Sequence, residues 1–231
     1  MTSERVVAIV PAKGRSTRVP GKNLRLMAGK PMVGHILDTL QRCTLVDEVY
    51  LDSDSPVSLD LGRSMGVPVI ERPPQLASDA TNGNHLLLFH ASRVEADIYL
   101  QTFATNPLLR AATIDRAIER LLDSPAHDSL FGVVREHAFF WNDRGPVNYD
   151  PATLPRTQDL PPFYRETTGL YLIRRPALLS RRARIGARPV LFEVDPIEAT
   201  DVDYEHDFRR AESLLVERQA DAELEPMLVT A

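Results

Sequence analysis

The stretch 5-RVVAIVPAKGRSTRVPGKNLRLMAGKP-31 decides the fold class, because an apolar run leads directly into a basic, glycine-rich loop. Residues 6–12 show little alternation between apolar and polar positions, which is typical of a strand buried on both faces of a parallel sheet. Pro31 stands where proline is best tolerated, at the start of a helix. The stretch therefore predicts a strand–loop–helix unit. Its loop would lie at the carboxyl edge of the sheet, where ligands bind in open α/β folds.

Beyond this unit, the chain alternates short apolar strands with amphipathic helices. The strands are predicted at 48–52, 67–71, 97–101, 129–134, 170–173 and 190–194, and the helices at 57–65, 85–93, 114–122 and 204–218. This alternation predicts a three-layer, Rossmann-like α/β fold with a mostly parallel central sheet. We expect residues 1–218 to form a single domain and residues 219–231 to form a loosely ordered tail.

One segment breaks the alternation. Residues 137–165 contain Phe139, Phe140, Trp141 and five prolines, and they show no helical period. We expect this segment to leave the main sheet as a small excursion before the chain returns to it.

Composition limits the classes of function. The 231 residues include 27 basic and 32 acidic side chains, a net charge of −5, which argues against a general nucleic-acid binder. Cys43 is the single cysteine, so one chain holds no disulfide framework and no cysteine-based zinc site. The apolar run 6–12 is too short to span a membrane, and no small-residue cleavage site follows it. The expectation is a cytoplasmic protein with no membrane or nucleic-acid partner.

The loop itself predicts an anion site. It carries two glycines, which allow close approach of the backbone, and six cations, which suit phosphate oxygens. These residues are Gly14 and Gly21, with Lys13, Arg15, Arg18, Lys22, Arg25 and Lys30. The spacing fits neither the GxxxxGK[ST] phosphate loop nor the GxGxxG fingerprint. A solvated basic surface loop is the alternative interpretation, and Arg25 and Lys30 are expected to face solvent in either case.

The chain resembles the acylneuraminate cytidylyltransferases, or CMP-sialic acid synthetases, in six motifs that occur in the family's order. The motifs are 8-AIVPAKGRSTRVPGKNLRLMAGKPM-32, 52-DSDS-55, 72-RPPQLASDAT-81, 105-TNPLLR-110, 156-RTQDLPPFYRETTGLYLI-173 and 201-DVDYEHDF-208. They extend over nearly the whole chain. The resemblance implies a GT-A-like nucleotidyltransferase fold and attack of an acid sugar's anomeric hydroxyl on the α-phosphorus of CTP. Pyrophosphate would leave, Mg²⁺ or Mn²⁺ would assist, and the excursion 137–165 would pair two subunits in a homodimer.

The resemblance also assigns roles on the nucleotide side. Lys22 is expected to contact the triphosphate and to be exposed in the free protein. Asp201 and Asp203 are expected to bind the metal and to act in catalysis, although a helix N-cap remains an alternative for this pair. The remaining nucleotide-binding residues would be Lys13, Gly14, Arg15, Ser16, Arg18, Asn23, Arg72, Ser78 and Asp79.

On the acceptor side the sequence departs from the family. Phe103 occupies the place of a glutamine that reaches the sugar, and Thr168 precedes Gly169 where the family has asparagine. The expected acceptor-binding residues are Phe103, Arg165 and Tyr171. These departures leave the acceptor open: a sialic-acid-like nonulosonic acid, a deaminated or deoxy acid sugar, a Kdo-like acid or a phosphonate. A different nucleotide such as GTP, or a non-catalytic nucleotide-binding relative, are further alternatives.

Overall fold

The computed structural model describes residues 4–229, with side chains up to Asp221. Eleven strands and six α-helices occur in this part of the chain. In chain order they are β1 Val6–Pro11, β2 Leu26–Met27, β3 Lys30–Pro31, α1 Met32–Gln41, β4 Glu48–Ser53, α2 Pro56–Ser64, β5 Val69–Glu71, α3 Gly83–Ala91, β6 Ile98–Gln101, α4 Ala111–Leu122, β7 Ser129–Glu136, β8 Trp141–Asn142, β9 Gly145–Pro146, β10 Phe163–Arg174, α5 Arg175–Arg181, β11 Pro189–Glu193 and α6 Glu205–Val229.

Seven strands form one central sheet in the order β11-β7-β10-β6-β1-β4-β5. Strand β1 pairs in parallel with β4 and β6, β4 pairs in parallel with β5, and β11 pairs in parallel with β7. Only β10 runs antiparallel, between β6 and β7. The predicted α/β class with a mostly parallel sheet is therefore confirmed.

Strand β1 shows why the fold has three layers. Val6, Ala8 and Val10 belong to one hydrophobic cluster, while Val7 and Ile9 belong to a second cluster. Since successive strand residues point to opposite faces, the two clusters cover the two faces of the sheet. All six residues of β1 are buried, as the unalternating apolar run predicts.

The short strands β2, β3, β8 and β9 were not predicted, and three longer elements also differ from the sequence-based expectations. Strand β10 has twelve residues rather than four, and a bulge between Glu166 and Tyr171 lets it keep pairing with β7. Helix α5 was not predicted, because its arginine-rich sequence has little apolar period. Helix α6 continues to Val229, beyond the expected end at residue 218, while residues 230 and 231 lie outside the described part.

Residues 137–162 lie outside the seven-stranded sheet, whereas Phe163, Tyr164 and Arg165, at the end of the expected excursion, belong to β10 and pair with β7. The excursion contains the short β8–β9 ribbon, where Trp141 pairs with Pro146. Its aromatic rings pack on one another: the Phe139 and Tyr149 ring centroids are 4.2 Å apart. Within residues 4–229, none of the helices combines the length and the apolar character that a transmembrane span requires.

Candidate functional site

A cleft of about 600 Å³ opens beyond the carboxyl ends of β1 and β6. Its walls come from the basic loop after β1, from the loop after β5 and from the turn after β6. The lining residues are Pro11, Lys13, Arg15, Ser16, Thr17, Arg18, Lys22, Asn23, Asp54, Ala77, Ser78, Asp79, Phe103, Ala104 and Thr105. The fold therefore places the basic loop at the edge of the sheet that the sequence predicts.

An ion pair bridges two walls of this cleft. Lys13 Nζ lies 2.5 Å from Asp79 Oδ1. The Lys13 ammonium lowers the pKa of Asp79 below its ordinary value by hydrogen bonding and by charge. Because the Asp79 side chain is 91% exposed, this pair contributes little to folding stability and can open when an anion enters.

Gly14 makes close contacts within the protein, and its contact with a nucleotide stays a prediction. Its backbone N–H donates to Asp54 Oδ1 at 2.8 Å, so this donor is not free for a ligand. A Cβ at this position would lie 2.7 Å from the Ser55 Cβ. The glycine is therefore required because the loop passes close to the start of α2.

Lys22 is buried, with 8% of its surface exposed, which corrects the expectation that it would face solvent. Its Nζ donates to the Val202 carbonyl oxygen at 2.6 Å and lies 3.7 Å from Asp203 Oδ1. Burial lowers the pKa of Lys22, and the charges of Asp203 and Asp201 partly offset this effect. Lys22 therefore lines the cleft as a cation held in place by the segment before α6.

Arg18 contacts the same segment before α6, and its side chain is more exposed than that of Lys22. Its Nη2 lies 2.8 Å from Asp203 Oδ1, and its guanidinium is 5.3 Å from the Tyr204 ring centroid. Asp203 Oδ1 thus forms ion pairs with two cations of the basic loop, Arg18 and Lys22. Asp207 Oδ2 in turn accepts the backbone N–H groups of Asp203 and Tyr204, so it provides the cap at the start of α6.

Asp201 has an unsatisfied oxygen. Its Oδ2 accepts a hydrogen bond from Thr168 Oγ1 at 2.8 Å, whereas its Oδ1 is buried and has no hydrogen-bond partner among the described residues. Such an oxygen is suited to a cation, because an unpaired buried acceptor is costly. No group of three His, Cys, Asp or Glu side chains in the described residues is arranged to hold a metal. A site that uses two carboxylates together with phosphate oxygens does not require such a group.

Asn23 and Ser78, two predicted nucleotide contacts, make hydrogen bonds within the loops. Asn23 Nδ2 donates to the Lys13 carbonyl oxygen at 2.9 Å, which ties the basic loop together. Ser78 Oγ lies 3.3 Å from Thr81 Oγ1 and lines the cleft. Both residues lie at the cleft, so contact of their remaining polar atoms with a nucleotide stays a prediction.

Arg72 lies beneath the cleft in a buried charge network. Its Nη2 and Nε donate to Asp52 Oδ2 at 2.6 and 3.0 Å, and His90 Nε2 is 3.1 Å from the same oxygen. Burial acts to raise the pKa of Asp52, but the close contact with His90 and the hydrogen bonds from Arg72 lower it overall. Arg72 also lines a smaller pocket of about 280 Å³ beside Phe103. Its contact with a nucleotide stays a prediction.

The three expected acceptor residues fall in different environments. Phe103 lines the cleft. Tyr171 is fully buried, and burial together with Glu166 raises the pKa of its hydroxyl. Arg165 is exposed on β10 and pairs with Glu136 Oε1 at 2.6 Å, away from the cleft of this chain. The structure therefore brings one of the three residues to the cleft wall.

Sequence reasoning missed Arg184, which covers Tyr171. Its guanidinium carbon is 3.7 Å from the Tyr171 ring centroid and 6.0 Å from that of Phe103. The only signal is the cluster of arginines in 181-RRARIGAR-188, which has no spacing that singles out one of them. The contact depends on tertiary structure, because it joins the loop after α5 to β10.

Comparisons with known proteins identify the family. The model of the cytidylyltransferase family matches residues 7–223. N-acylneuraminate cytidylyltransferase A of Danio rerio is 26% identical over 219 residues, covering 91% of this chain and 50% of that protein. The 3-deoxy-manno-octulosonate cytidylyltransferase of Geobacter sulfurreducens is 37% identical over 121 residues, covering 52% and 47% of the two chains. The chain spans about half the length of the curated relatives it matches.

Solved structures show the same fold. A CMP:2-keto-3-deoxy-manno-octonic acid synthetase complexed with CTP superposes with a TM-score of 0.72 at 22% identity, covering 93% of this chain and 99% of that one. The 4-diphosphocytidyl-2C-methyl-D-erythritol synthase of Anaerococcus prevotii gives a TM-score of 0.69 at 10% identity, covering 92% and 96%. The family match extends over far more than half of the sequence and agrees with the predicted motifs. This chain therefore belongs to the cytidylyltransferase family.

Proposed function

We propose that the protein is a CTP-dependent cytidylyltransferase that transfers CMP to a sialic-acid-like acid sugar. The anomeric hydroxyl of the acceptor attacks the α-phosphorus of CTP. A bond forms between that oxygen and phosphorus as the hydroxyl releases its proton to solvent, the bond to the β-phosphate oxygen breaks, and pyrophosphate leaves. Family membership and the basic cleft together support this reaction.

The observation that carries the proposal is the convergence of four cations on one cleft at the end of β1. Lys13, Arg15, Arg18 and Lys22 line it, although the chain as a whole carries a net charge of −5. A triphosphate supplies the several negative charges that such a cluster requires, and its oxygens accept the hydrogen bonds that Lys and Arg donate. The alternative interpretation, a solvated basic surface loop, does not explain why Lys22 is buried.

In this proposal, binding and charge stabilisation provide most of the catalysis. Arg18 and Lys13 exchange their carboxylate partners, Asp203 and Asp79, for phosphate oxygens. Lys22 is fixed by the Val202 carbonyl and needs little reorganisation, so it stabilises the charge that develops on the phosphate. Preorganised donors of this kind are worth about 10²–10³ in turnover.

Asp201 and Asp203 would hold the divalent cation, Mg²⁺ or Mn²⁺. Asp201 fits the role because its buried Oδ1 has no partner among the described residues, and Asp203 becomes available once Arg18 turns to phosphate. The cation would neutralise phosphate charge and orient the triphosphate. The helix N-cap alternative is less favoured, because among the described residues the partners of these two carboxylates are Thr168, Arg18 and Lys22 and not a backbone N–H of α6.

The acceptor is proposed from relatives and from the cleft wall. N-acylneuraminate cytidylyltransferases match most of this chain, which favours a nonulosonic acid. The match to a 3-deoxy-manno-octulosonate cytidylyltransferase keeps a Kdo-like acid as a second candidate. Phe103 presents an apolar ring to the cleft, so we expect selection against acceptors that need a hydrogen bond at that point.

We also propose a homodimer formed through the excursion 137–165. Trp141 is 60% exposed and Leu154 is 66% exposed in the single chain. Burial of such side chains favours association. Sedimentation of the wild-type chain and of a Trp141→Ala variant would test this: dimers that weaken in the variant support it, and a wild-type monomer contradicts it.

The function is tested by pyrophosphate release. The assay combines the protein, Mg²⁺, and CTP or GTP with N-acetylneuraminate, its deaminated analogue, Kdo and legionaminate. We expect release that needs CTP, Mg²⁺ and one of the acids together. Pyrophosphate release with GTP but not with CTP would point to another nucleotide. Tight CTP binding without pyrophosphate release in the presence of any of the acids would favour the phosphonate or non-catalytic alternatives.

A further inference from the structure

We propose that Arg184 binds the carboxylate of the acceptor acid, in place of the predicted Arg165. The inference rests on the proposed function, because it names the residue that recognises the acid sugar. It assigns acceptor recognition to the loop between α5 and β11, to which no sequence motif gave a role.

Arg184 is held in one position by three different contacts. Its guanidinium lies flat enough on Tyr171 to bring its carbon within 3.7 Å of the ring centroid. Its Nη2 donates to the Tyr171 hydroxyl at 2.8 Å, and its backbone N–H donates to Asn84 Oδ1 at 2.9 Å. Cation–π contact and fixed backbone reduce the entropy lost when the side chain binds an anion.

Two nitrogens of the Arg184 guanidinium make no hydrogen bond among the described residues. Among the described residues, its single side-chain hydrogen bond uses Nη2, which leaves Nε and Nη1 for a ligand. The side chain is 23% exposed, so it is partly desolvated yet accessible. A planar guanidinium with free donors is well suited to a carboxylate, which it binds through two parallel hydrogen bonds.

Arg184 is not itself among the residues that line the cleft, but it lies beside one of them. Phe103, which lines the cleft, has its ring centroid 6.0 Å from the guanidinium carbon. Gly83 makes room on the other side, because a Cβ there would lie 2.7 Å from Arg184 Nη1. The buried Gln101 Oε1 faces the same point at 3.1 Å and has no hydrogen-bond partner among the described residues. This corner thus combines a cation, a polar acceptor and an apolar ring, as an acid sugar requires.

One carboxylate competes with the ligand. Glu166 Oε1 lies 3.5 Å from Arg184 Nη2 and accepts a short hydrogen bond from the Tyr171 hydroxyl. The Glu166 side chain is 45% exposed and its contact with Arg184 is at the long end for an ion pair, so an incoming carboxylate can replace it. Arg165 is less suitable, since its ion pair with Glu136 at 2.6 Å is closer than the Arg184–Glu166 contact and has to be broken before a ligand can bind.

The experiment compares an acid with its uncharged ester. Pyrophosphate release is measured with N-acetylneuraminate and Kdo, and with the methyl ester of each acid that is turned over. We expect Arg184→Met to lower the ratio of kcat/KM for acid over ester on the order of 10- to 100-fold, the effect of one hydrogen bond to a charged group. The KM for CTP should stay within about threefold, since Arg184 lies outside the nucleotide end. Arg184→Lys, which keeps the charge but loses the fork, should give an intermediate ratio.

Arg181→Met is the matched control, because Arg181 is an exposed arginine at the end of α5 and should leave the ratio unchanged. An unchanged ratio in Arg184→Met, or a collapse in Arg165→Met instead, overturns the inference while the proposed function stands. If the wild-type protein turns over neither of these two acids but accepts another acid of the panel, the comparison is made with that acid and its methyl ester; if it accepts none, the inference fails together with the proposed function. If Arg184→Met does not fold, an unchanged ratio in Arg184→Lys overturns the inference in the same way.

Discussion

Lys22→Met separates a structural role of Lys22 from a chemical one. Methionine keeps most of the lysine's length and apolar surface but has no charge. In the folded chain the variant loses the 2.6 Å hydrogen bond to the Val202 carbonyl and the 3.7 Å contact with Asp203. Asp203 keeps its 2.8 Å pair with Arg18, so no carboxylate is left unpaired.

The expected change in stability is small because two effects oppose each other. A hydrogen bond from a charged group contributes about 1.5–3 kcal/mol to the free energy of unfolding. Removal of a buried ammonium relieves its desolvation cost, and no charge is left uncompensated because Asp203 keeps Arg18 as a partner. We expect a net change within about 2 kcal/mol. By contrast, loss of one preorganised donor at the phosphate should lower kcat about 10²–10³-fold.

The assay pairs urea unfolding with pyrophosphate release at saturating CTP and acceptor. Lys30→Met is the matched control, since Lys30 pairs with Asp38 and lines a different pocket beside α1. It should leave kcat unchanged. Turnover in Lys22→Met within about threefold of wild type would refute the chemical role. A loss of more than about 4 kcal/mol in stability would instead make Lys22 a structural residue.

Four further predictions follow from other features. Asp52→Asn should lower the free energy of unfolding by about 3–5 kcal/mol in urea, because it leaves the Arg72 charge buried without its carboxylate; a change under about 1 kcal/mol would contradict this. Burial raises the pKa of Cys43 to about 12, so at pH 8 the native thiol should react with a disulfide reagent on the order of 1,000-fold more slowly than the unfolded chain, and comparable rates would be inconsistent with this. Burial lowers the pKa of Lys22, so below its ordinary value of 10.5 the unfolded chain binds more protons than the folded chain. The stability of the wild type should then rise with pH relative to Lys22→Met, and parallel urea midpoints across pH 7–10 would oppose this. Asp201→Asn should keep the melting temperature and lose metal-dependent turnover, and full turnover would remove Asp201 from the metal site.

Local patterns in the sequence were sufficient for much of the fold. Strand β1 and the basic loop were predictable because an unbroken apolar run followed by glycine and cations has few other uses in an α/β protein. Strand β10 was predicted only in part. Its first half pairs with β7 across a bulge, and that pairing depends on a partner strand about thirty residues earlier in the chain, between Val134 and Arg165.

The site shows the same division between local and distant information. The cations of the loop were identified from sequence, since their clustering is local. Burial of Lys22 was not, because it depends on the Val202 carbonyl 180 residues away. The contact of Arg184 with Tyr171 was also missed, since one arginine among several in a loop carries no periodic signal until the fold places it on the ring.

The central claim is that the protein transfers CMP, with the α-phosphate of CTP, to an acid sugar. The most direct test follows CTP labelled with ³²P at the α-position during incubation with the protein, Mg²⁺ and the acid-sugar panel. The account predicts that label appears in a CMP-sugar with one equivalent of unlabelled pyrophosphate, and that neither forms without the acid. Label that stays in CTP with every acid, or that appears as free CMP independently of the acid, would contradict it.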